Sequence, residues 1–202
     1  MRWAILKRHQ TSPPFIFVLI CKDYLGRMVH GERHGWSGVL PIVISIVERA
    51  PARTIFTRFV PPSTADDAHG MWRAYYKKWK EVTRANLDPD LIDLMPALQK
   101  YVPPAKTINK PVYSAFATGV LHNELQKTGV NTLIVTGAET DVCVLSTILA
   151  AVDLGYRIIV VKDGLCSSAD QTHDALLGLY AQRFDLQVEL TQANELLEVW
   201  RG

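Results

Sequence analysis

Apolar runs of strand length alternate with stretches of helical periodicity along most of this chain, and no other feature constrains its fold as tightly. Residues 15–21 read Phe15-Ile16-Phe17-Val18-Leu19-Ile20-Cys21, a continuous apolar run of the kind found in strands buried on both faces. Further strand-like segments lie at 53–59, 106–109, 132–136, 157–161 and 186–190. Between them, Val39, Ile42, Val43, Ile46 and Val47 recur at helical spacing. Other helical stretches are 66–82, 91–98, 120–127, 140–154, a segment from Ser168 or Asp170 to about 183, and 193–199. Thr140 reads as an N-cap, as does Ser168 or Asp170, and Gly155 reads as a helix stop. Strands alternating with helices imply βαβ units and a parallel sheet covered on both faces. The 202 residues read as a single domain, 1–202, with a helical insertion at about 61–104 that breaks the alternation. Such an insertion suits a lid or an oligomer contact.

Charge and composition exclude several classes. Basic and acidic residues number 22 and 20, a net +2 that gives no electrostatic argument for nucleic acid or an anionic membrane. Three cysteines without paired spacing do not form a disulfide framework, so a reducing, cytoplasmic setting is expected. The basic start and the apolar run at 15–21 faintly resemble a signal peptide. However, Pro13-Pro14 precedes the run, Lys22-Asp23 ends it, and no small-x-small cleavage site follows. No apolar run approaches the roughly 20 residues needed to span a bilayer.

The chemistry concentrates at strand ends. Cys143 lies in Gly137-Ala138-Glu139-Thr140-Asp141-Val142-Cys143-Val144, directly after the fourth strand-like run and in the first turn of the helix that follows. A helix N-terminus offers unpaired N–H groups and a partial positive charge, which favour a thiolate and can hold an oxyanion. In an open parallel sheet, ligands bind beyond the carboxyl ends of the strands. Lys110 ends the third strand there, and Asp23 stands just past the first. A thiol, an ammonium and a carboxylate converging at that edge could perform covalent acyl chemistry, with the carboxylate taking the thiol proton and the lysine stabilising anions.

These segments resemble a known family. The Cys143 motif, followed by Ala151-Val152-Asp153-Leu154-Gly155-Tyr156 and Val160-Val161-Lys162-Asp163, is similar to the isochorismatase-like cysteine hydrolases. That family includes nicotinamidases, N-carbamoylsarcosine amidase and isochorismatases. Ile108-Asn109-Lys110-Pro111-Val112-Tyr113-Ser114-Ala115-Phe116 is similar to the segment carrying the family lysine. The resemblance implies a three-layer, Rossmann-like α/β fold with a six-stranded parallel sheet in the order 3-2-1-4-5-6. It implies Cys143 as nucleophile, Lys110 as its electrostatic partner, and a cis peptide at Ala138–Glu139. Backbone N–H groups of Glu139 and Cys143 would then be the oxyanion donors. It further implies a C–N hydrolase acting on a small amide through a Cys143 thioester, without a cofactor, as a homo-oligomer.

The chain also departs from the family. The third catalytic residue expected from the resemblance is an aspartate in the first strand, where this sequence offers Leu19 in one register and Cys21 in another. Asp23 is the nearest carboxylate, two to four residues away, which is roughly 7 to 14 Å along a strand. It serves as base only if the strand ends early and the loop folds back. Loss of the base would leave a slow hydrolase or a ligand-binding protein on an enzyme fold. Vinyl ether hydrolysis is a third reading, and it needs the missing aspartate most.

Nicotinamidases of the family carry an Asp-x-His metal motif after the second strand. Here that stretch reads Thr57-Arg58-Phe59-Val60-Pro61-Pro62, so no metal is expected. Arg58 could meet an anionic substrate or form an ordinary ion pair. Trp72, with Tyr75, Tyr76 and Trp79 at helical spacing, fits either packing or an aromatic pocket wall, and Phe116 fits core or pocket. His173 reads as packing on its own helix, Cys21 as a core residue and Cys166 as a loop residue.

Overall fold

The computed structural model describes the backbone of residues 15–20 and the whole of residues 35–200. Its strands are β1 (Phe15–Ile20), β2 (Thr54–Phe59), β3 (Lys106–Lys110), β4 (Thr132–Gly137), β5 (Arg157–Leu165) and β6 (Val188–Thr191). All neighbours pair in parallel, in the order β3-β2-β1-β4-β5-β6. The helices are α1 (Trp36–Arg49), α2 (Met71–Lys78), α3 (Pro96–Gln99), α4 (Val120–Lys127), α5 (Leu145–Asp153), α6 (Asp170–Arg183) and α7 (Ala193–Val199).

Strand alternation distributes the core between two layers. Ile134, Ile159 and Val161 pack with Val39, Val43, Ile46 and Val47 of α1 and with Leu196 of α7. Their neighbours Leu133, Val135, Ile158 and Val160 pack on the other face, with Leu121 and Leu125 of α4, Ile148 of α5 and Tyr180 of α6. Both faces of the central strands are therefore apolar, which is why these runs read as continuous rather than alternating. The direction of winding reverses between β1 and β4. Leu19 of β1 is in register with Gly137 of β4 on one side and Thr57 of β2 on the other.

Several expected boundaries move, each for a local reason. The stretch 66–82 is helical only over α2, because Gly70 takes φ +54° at its start and single 3₁₀ turns at Ala65–Asp67 and Lys80–Val82 flank it. The stretch 91–98 shrinks to a turn at Pro89–Leu91 and the short α3, each opened by a proline, which favours a first helical position. Strand β5 runs on to Leu165, with a register shift against β4 between Val135 and Gly137. Gly164 allows that close approach, since a Cβ there would meet Thr136 Cγ2 at 3.1 Å. Thr140 is not an N-cap: α5 is preceded by a π-helical turn, Thr140–Val144, and the Thr140 hydroxyl donates to the Cys166 carbonyl at 3.0 Å instead. The residue before α6 is Ala169, so neither Ser168 nor Asp170 caps it. Gly155 ends α5 as expected, at φ +81°.

The insertion between β2 and β3 folds onto the carboxyl end of the sheet. Tyr76, Val82 and Leu87 form a third cluster with Phe59 and Cys143.

Candidate active site

Phe59 and Lys110 are register partners at the ends of β2 and β3. The Lys110 side chain is buried, with 1% of the residue exposed, a costly position for an ammonium that lacks partners. It finds them at once. Its Nζ donates to the Tyr113 carbonyl at 2.9 Å, the Val112 carbonyl at 3.3 Å and the Cys143 Sγ at 3.1 Å. The sulfur is thus one of the acceptors among which the ammonium shares its protons. The Phe59 ring lies 4.9 Å from Nζ, close enough for its π face to attract the charge.

The loop after β3 is fixed by the helix that follows the nucleophile. Ala115 N–H donates to the Thr147 hydroxyl of α5 at 3.1 Å, deep in the protein. This holds Val112 and Tyr113, and with them the Lys110 ammonium, against the turn bearing Cys143. Gly137 at φ +107° carries β4 into that turn, and the Ala138–Glu139 peptide is cis. Cys143 itself is closed to solvent.

Aromatic rings cover the pair. Trp72 stands edge-on to Tyr113 at 4.7 Å and to Tyr75 at 5.4 Å, and it stacks on Tyr76 at 5.9 Å. Burial first, then Tyr113 and Cys143, push the Tyr75 phenol up to about 12. Tyr113 is raised by burial and then by Cys143, with Lys110 opposing. Tyr76 is raised mainly by burial. These phenols are therefore neutral hydrogen-bonding groups at neutral pH.

A polar cluster grips the other side of the turn. The Glu139 carboxylate accepts from the Ser168 N–H at 2.6 Å and from the Ser168 and Ser167 hydroxyls at 2.9 and 3.0 Å. Asp141 accepts from the Ser167 hydroxyl at 2.6 Å and from the Thr172 hydroxyl. His173 is buried, and its Nδ1 lies 2.9 Å from the Thr140 hydroxyl. Because that hydroxyl donates to Cys166, the histidine nitrogen is the donor in this contact. Both the serine pair and the bond from His173 to the nucleophile turn escaped the sequence reading. Ser167 and Ser168 stand just past the end of β5 at Leu165, four residues beyond the expected strand end at Val161.

The structure brings Cys143, Lys110, Glu139 and Trp72 together. Arg58 faces elsewhere: its Nε donates to Asn109 Oδ1 at 3.0 Å and its Nη1 pairs with Asp93 at 2.5 Å. It lines a groove of about 290 Å³ with Asp93, Leu94, Gln99, Val102 and Thr107. Phe116 packs in the core against Tyr156 at 5.7 Å, in the cluster that covers α4 and α5. Cys166 is a loop residue, as expected, just past the end of β5; it is buried, and its backbone bonds Gly137 and Thr140. Asp23 and Cys21 lie outside the described residues. At the end of β2, Thr57, Arg58 and Phe59 supply neither a carboxylate nor an imidazole, so they do not fit a metal site there. No group of three or more His, Cys, Asp or Glu among the described residues could hold a metal ion. No described helix is long and apolar enough to cross a membrane.

Comparison with known proteins places this geometry in context. The model of the Isochorismatase domain family matches residues 17–193. A protein of Arabidopsis thaliana named a probable inactive nicotinamidase is 29% identical over 159 residues, 76% of this chain and 80% of its own. A cysteine hydrolase from Pseudomonas syringae pv. phaseolicola superposes with a TM-score of 0.71 at 21% identity, over 95% of this chain and 94% of that one. N-carbamoylsarcosine amidase from Thermoplasma acidophilum superposes with a TM-score of 0.69 at 15% identity, over 91% and 98%. At these identities the structural likeness establishes the fold.

Proposed function

This chain belongs to the isochorismatase domain family of hydrolases, and from that premise we propose that it cleaves a C–N bond of a small molecule through a Cys143 thioester. The observation that carries the reading is the buried contact of Lys110 Nζ with Cys143 Sγ at 3.1 Å. An ammonium at that distance favours the thiolate, the nucleophilic form. The thiolate attacks the amide carbonyl, a bond forms from Sγ to carbon, and the carbonyl π pair moves onto oxygen. The N–H groups of Glu139 and Cys143 receive that oxyanion. Collapse expels the amine, which takes a proton that the Lys110 ammonium is placed to give. Water then cleaves the thioester: its oxygen bonds to the acyl carbon, and the C–S bond breaks with the pair going to sulfur. One water proton leaves with the acid and the other returns to Lys110, which restores the thiolate and the ammonium. Trp72, Tyr75 and Tyr113 would contact the body of a flat or apolar substrate. A cytoplasmic homo-oligomer belongs to the same proposal.

A second reading has one observation in its favour. β1 reads Phe-Ile-Phe-Val-Leu-Ile and holds no carboxylate, and one relative is named as inactive. Loss of a general base costs about 10²- to 10⁴-fold, so the protein would then act as a ligand-binding member of the family.

Alkylation of Cys143 by iodoacetamide, followed by peptide mass spectrometry against pH, separates the two. A free thiol is only a few per cent thiolate at neutral pH. Full ionisation therefore raises the rate about 30-fold, and Lys110→Ala should remove that gain. If the wild type and Lys110→Ala react alike, the pair is not operating and ligand binding becomes the better account.

A further inference from the structure

Glu139 is held at its carbonyl oxygen and at Oε2 of its carboxylate. Its carbonyl accepts the N–H groups of Val142 at 3.2 Å and Val144 at 3.0 Å. Its carboxylate takes three donors, all from Ser167 and Ser168. The peptide after it is pinned by Thr140 N–H, which donates to the Cys166 carbonyl at 3.0 Å. The Glu139 N–H, like Oε1, is given to no described residue. Glu139 itself is buried, and a buried amide without a partner is uncommon.

The grip comes from a different part of the chain. Ser167 and Ser168 follow β5, and Cys166 N–H donates to the Gly137 carbonyl at 3.1 Å, tying the ends of β4 and β5 together. The Ser167 hydroxyl has one proton and two carboxylate neighbours, Glu139 Oε2 at 3.0 Å and Asp141 Oδ1 at 2.6 Å. It can serve only one of them at a time. Ser168 has no such competitor: its N–H and its hydroxyl both go to Glu139. Ser168 is thus the constant anchor and Ser167 the shared one.

We propose that the Glu139 carboxylate, anchored by Ser168 and Ser167, is a positioning group that aims the Glu139 N–H at the oxyanion formed when the Cys143 thiolate attacks an acyl carbonyl. This inference rests on Cys143 being the nucleophile. It assigns the β5–α6 loop a part in the reaction that is separate from the Lys110 contact. Lys110 governs the charge on sulfur, whereas Glu139 governs the charge that develops on the carbonyl oxygen.

Two reagents separate these effects. Iodoacetamide alkylates sulfur by displacing iodide at a saturated carbon, and no oxyanion forms. p-Nitrophenyl acetate acetylates it through an oxyanion: the Sγ–C bond forms, the ester C–O bond breaks, and p-nitrophenolate leaves with the electron pair. Both reagents must reach the same sulfur, so access and thiolate content largely cancel in the ratio of the two rates.

The experiment measures acetylation and alkylation of Cys143 by peptide mass spectrometry in wild type, Glu139→Ala, Glu139→Gln and Ser168→Ala. The ratio of acetylation to alkylation should fall about tenfold or more in Glu139→Ala, because a misaimed oxyanion donor is nearly a lost one. Glu139→Gln, which keeps an acceptor oxygen, should recover part of the loss. Ser168→Ala, which keeps its N–H bond to Glu139 and disturbs the fold least, should lower the ratio about threefold. An unchanged ratio in all three variants, or two rates falling in step, overturns the proposal. A wild type inert to iodoacetamide overturns the reading of Cys143 as nucleophile, and this inference with it.

Discussion

Arg58 and Lys110 are two cations at the ends of adjacent strands, and they differ in almost every property that matters. They stand one register step apart, since Arg58 pairs with Asn109 and Phe59 with Lys110. That single step puts them on opposite faces of the sheet. Lys110 is buried, packs under Phe59 and meets the Cys143 sulfur. Arg58 has a side chain 26% exposed and pairs with Asp93, whose own side chain is 54% exposed. The lesson is that fold position nominates a residue, whereas burial and acceptor count decide what its charge does. An exposed pair is screened and weak, and a buried cation must be matched by fixed acceptors.

The largest expected effect tests the buried side of that comparison. Lys110→Met should lower Cys143 alkylation at neutral pH about 30-fold, roughly 2 kcal/mol of barrier. Methionine fills the space without charge, so the loss reports the ammonium rather than a cavity. Alkylation unchanged by Lys110→Met would break the comparison, making the buried cation as idle as the exposed one.

The same contrast explains what could be read from sequence. The motif around Cys143 combines an apolar strand with a reactive residue just beyond it, whereas the polar run Lys106-Thr107-Ile108-Asn109 marks its strand weakly and Lys110 is legible chiefly through the likeness of its segment to the family. Arg58 satisfied the same positional rule and went elsewhere, since face is set by a one-residue register that a six-residue strand fixes poorly. Phe116, which fitted core or pocket, takes the first of these and packs beside Tyr156. The Glu139, Ser167 and Ser168 cluster was illegible for a different reason. Its partners lie nearly thirty residues apart, and the irregular run of β5 past Val161 reads as a loop. Tyr113 lies in the Lys110 segment, but nothing local tells that its ring meets Trp72 of the insertion.

The aromatic cover offers the next effect in size. Trp72 touches Phe59, Tyr75, Tyr76 and Tyr113, so Trp72→Ala should cost about 1.5 kcal/mol of stability. That is roughly half the value for a fully enclosed tryptophan, because Trp72 is only partly buried. The midpoint of urea unfolding measures it. A change below a few tenths would mean the cover is loosely seated, and the Lys110 side is then less enclosed than its burial suggests.

A smaller effect follows from the Tyr75 phenol, raised from 10.0 to about 12 by burial, Tyr113 and Cys143. Unfolded, this phenol loses its proton near pH 10, whereas folded it keeps the proton until about pH 12. Between those values the native state binds more protons than the unfolded state, so stability falls as pH rises. Urea midpoints between pH 9 and pH 12 should therefore drop more steeply in wild type than in Tyr75→Phe. Equal slopes would mean that Tyr75 is hydrated, sharpening the boundary between the dry and wet sides of the sheet end.

The smallest expected effect belongs to Arg58, and its smallness is informative. Its ion pair with Asp93 is short but solvent-facing, and such pairs contribute about 0.2 to 1 kcal/mol. The bond to Asn109 lies on the exposed edge strand β3 and adds little more. Arg58→Met should then lower stability by about 0.5 kcal/mol and leave Cys143 alkylation within twofold of wild type. High salt should erase most of the stability difference, because the Debye length shrinks to about 3 Å at 1 M. If Arg58→Met instead slows alkylation as Lys110→Met does, the two faces of β2 are coupled. The path would run through the strand itself, from Arg58 to its neighbour Phe59 and the ring over the Lys110 ammonium. That outcome would return Arg58 to the site from which register has removed it.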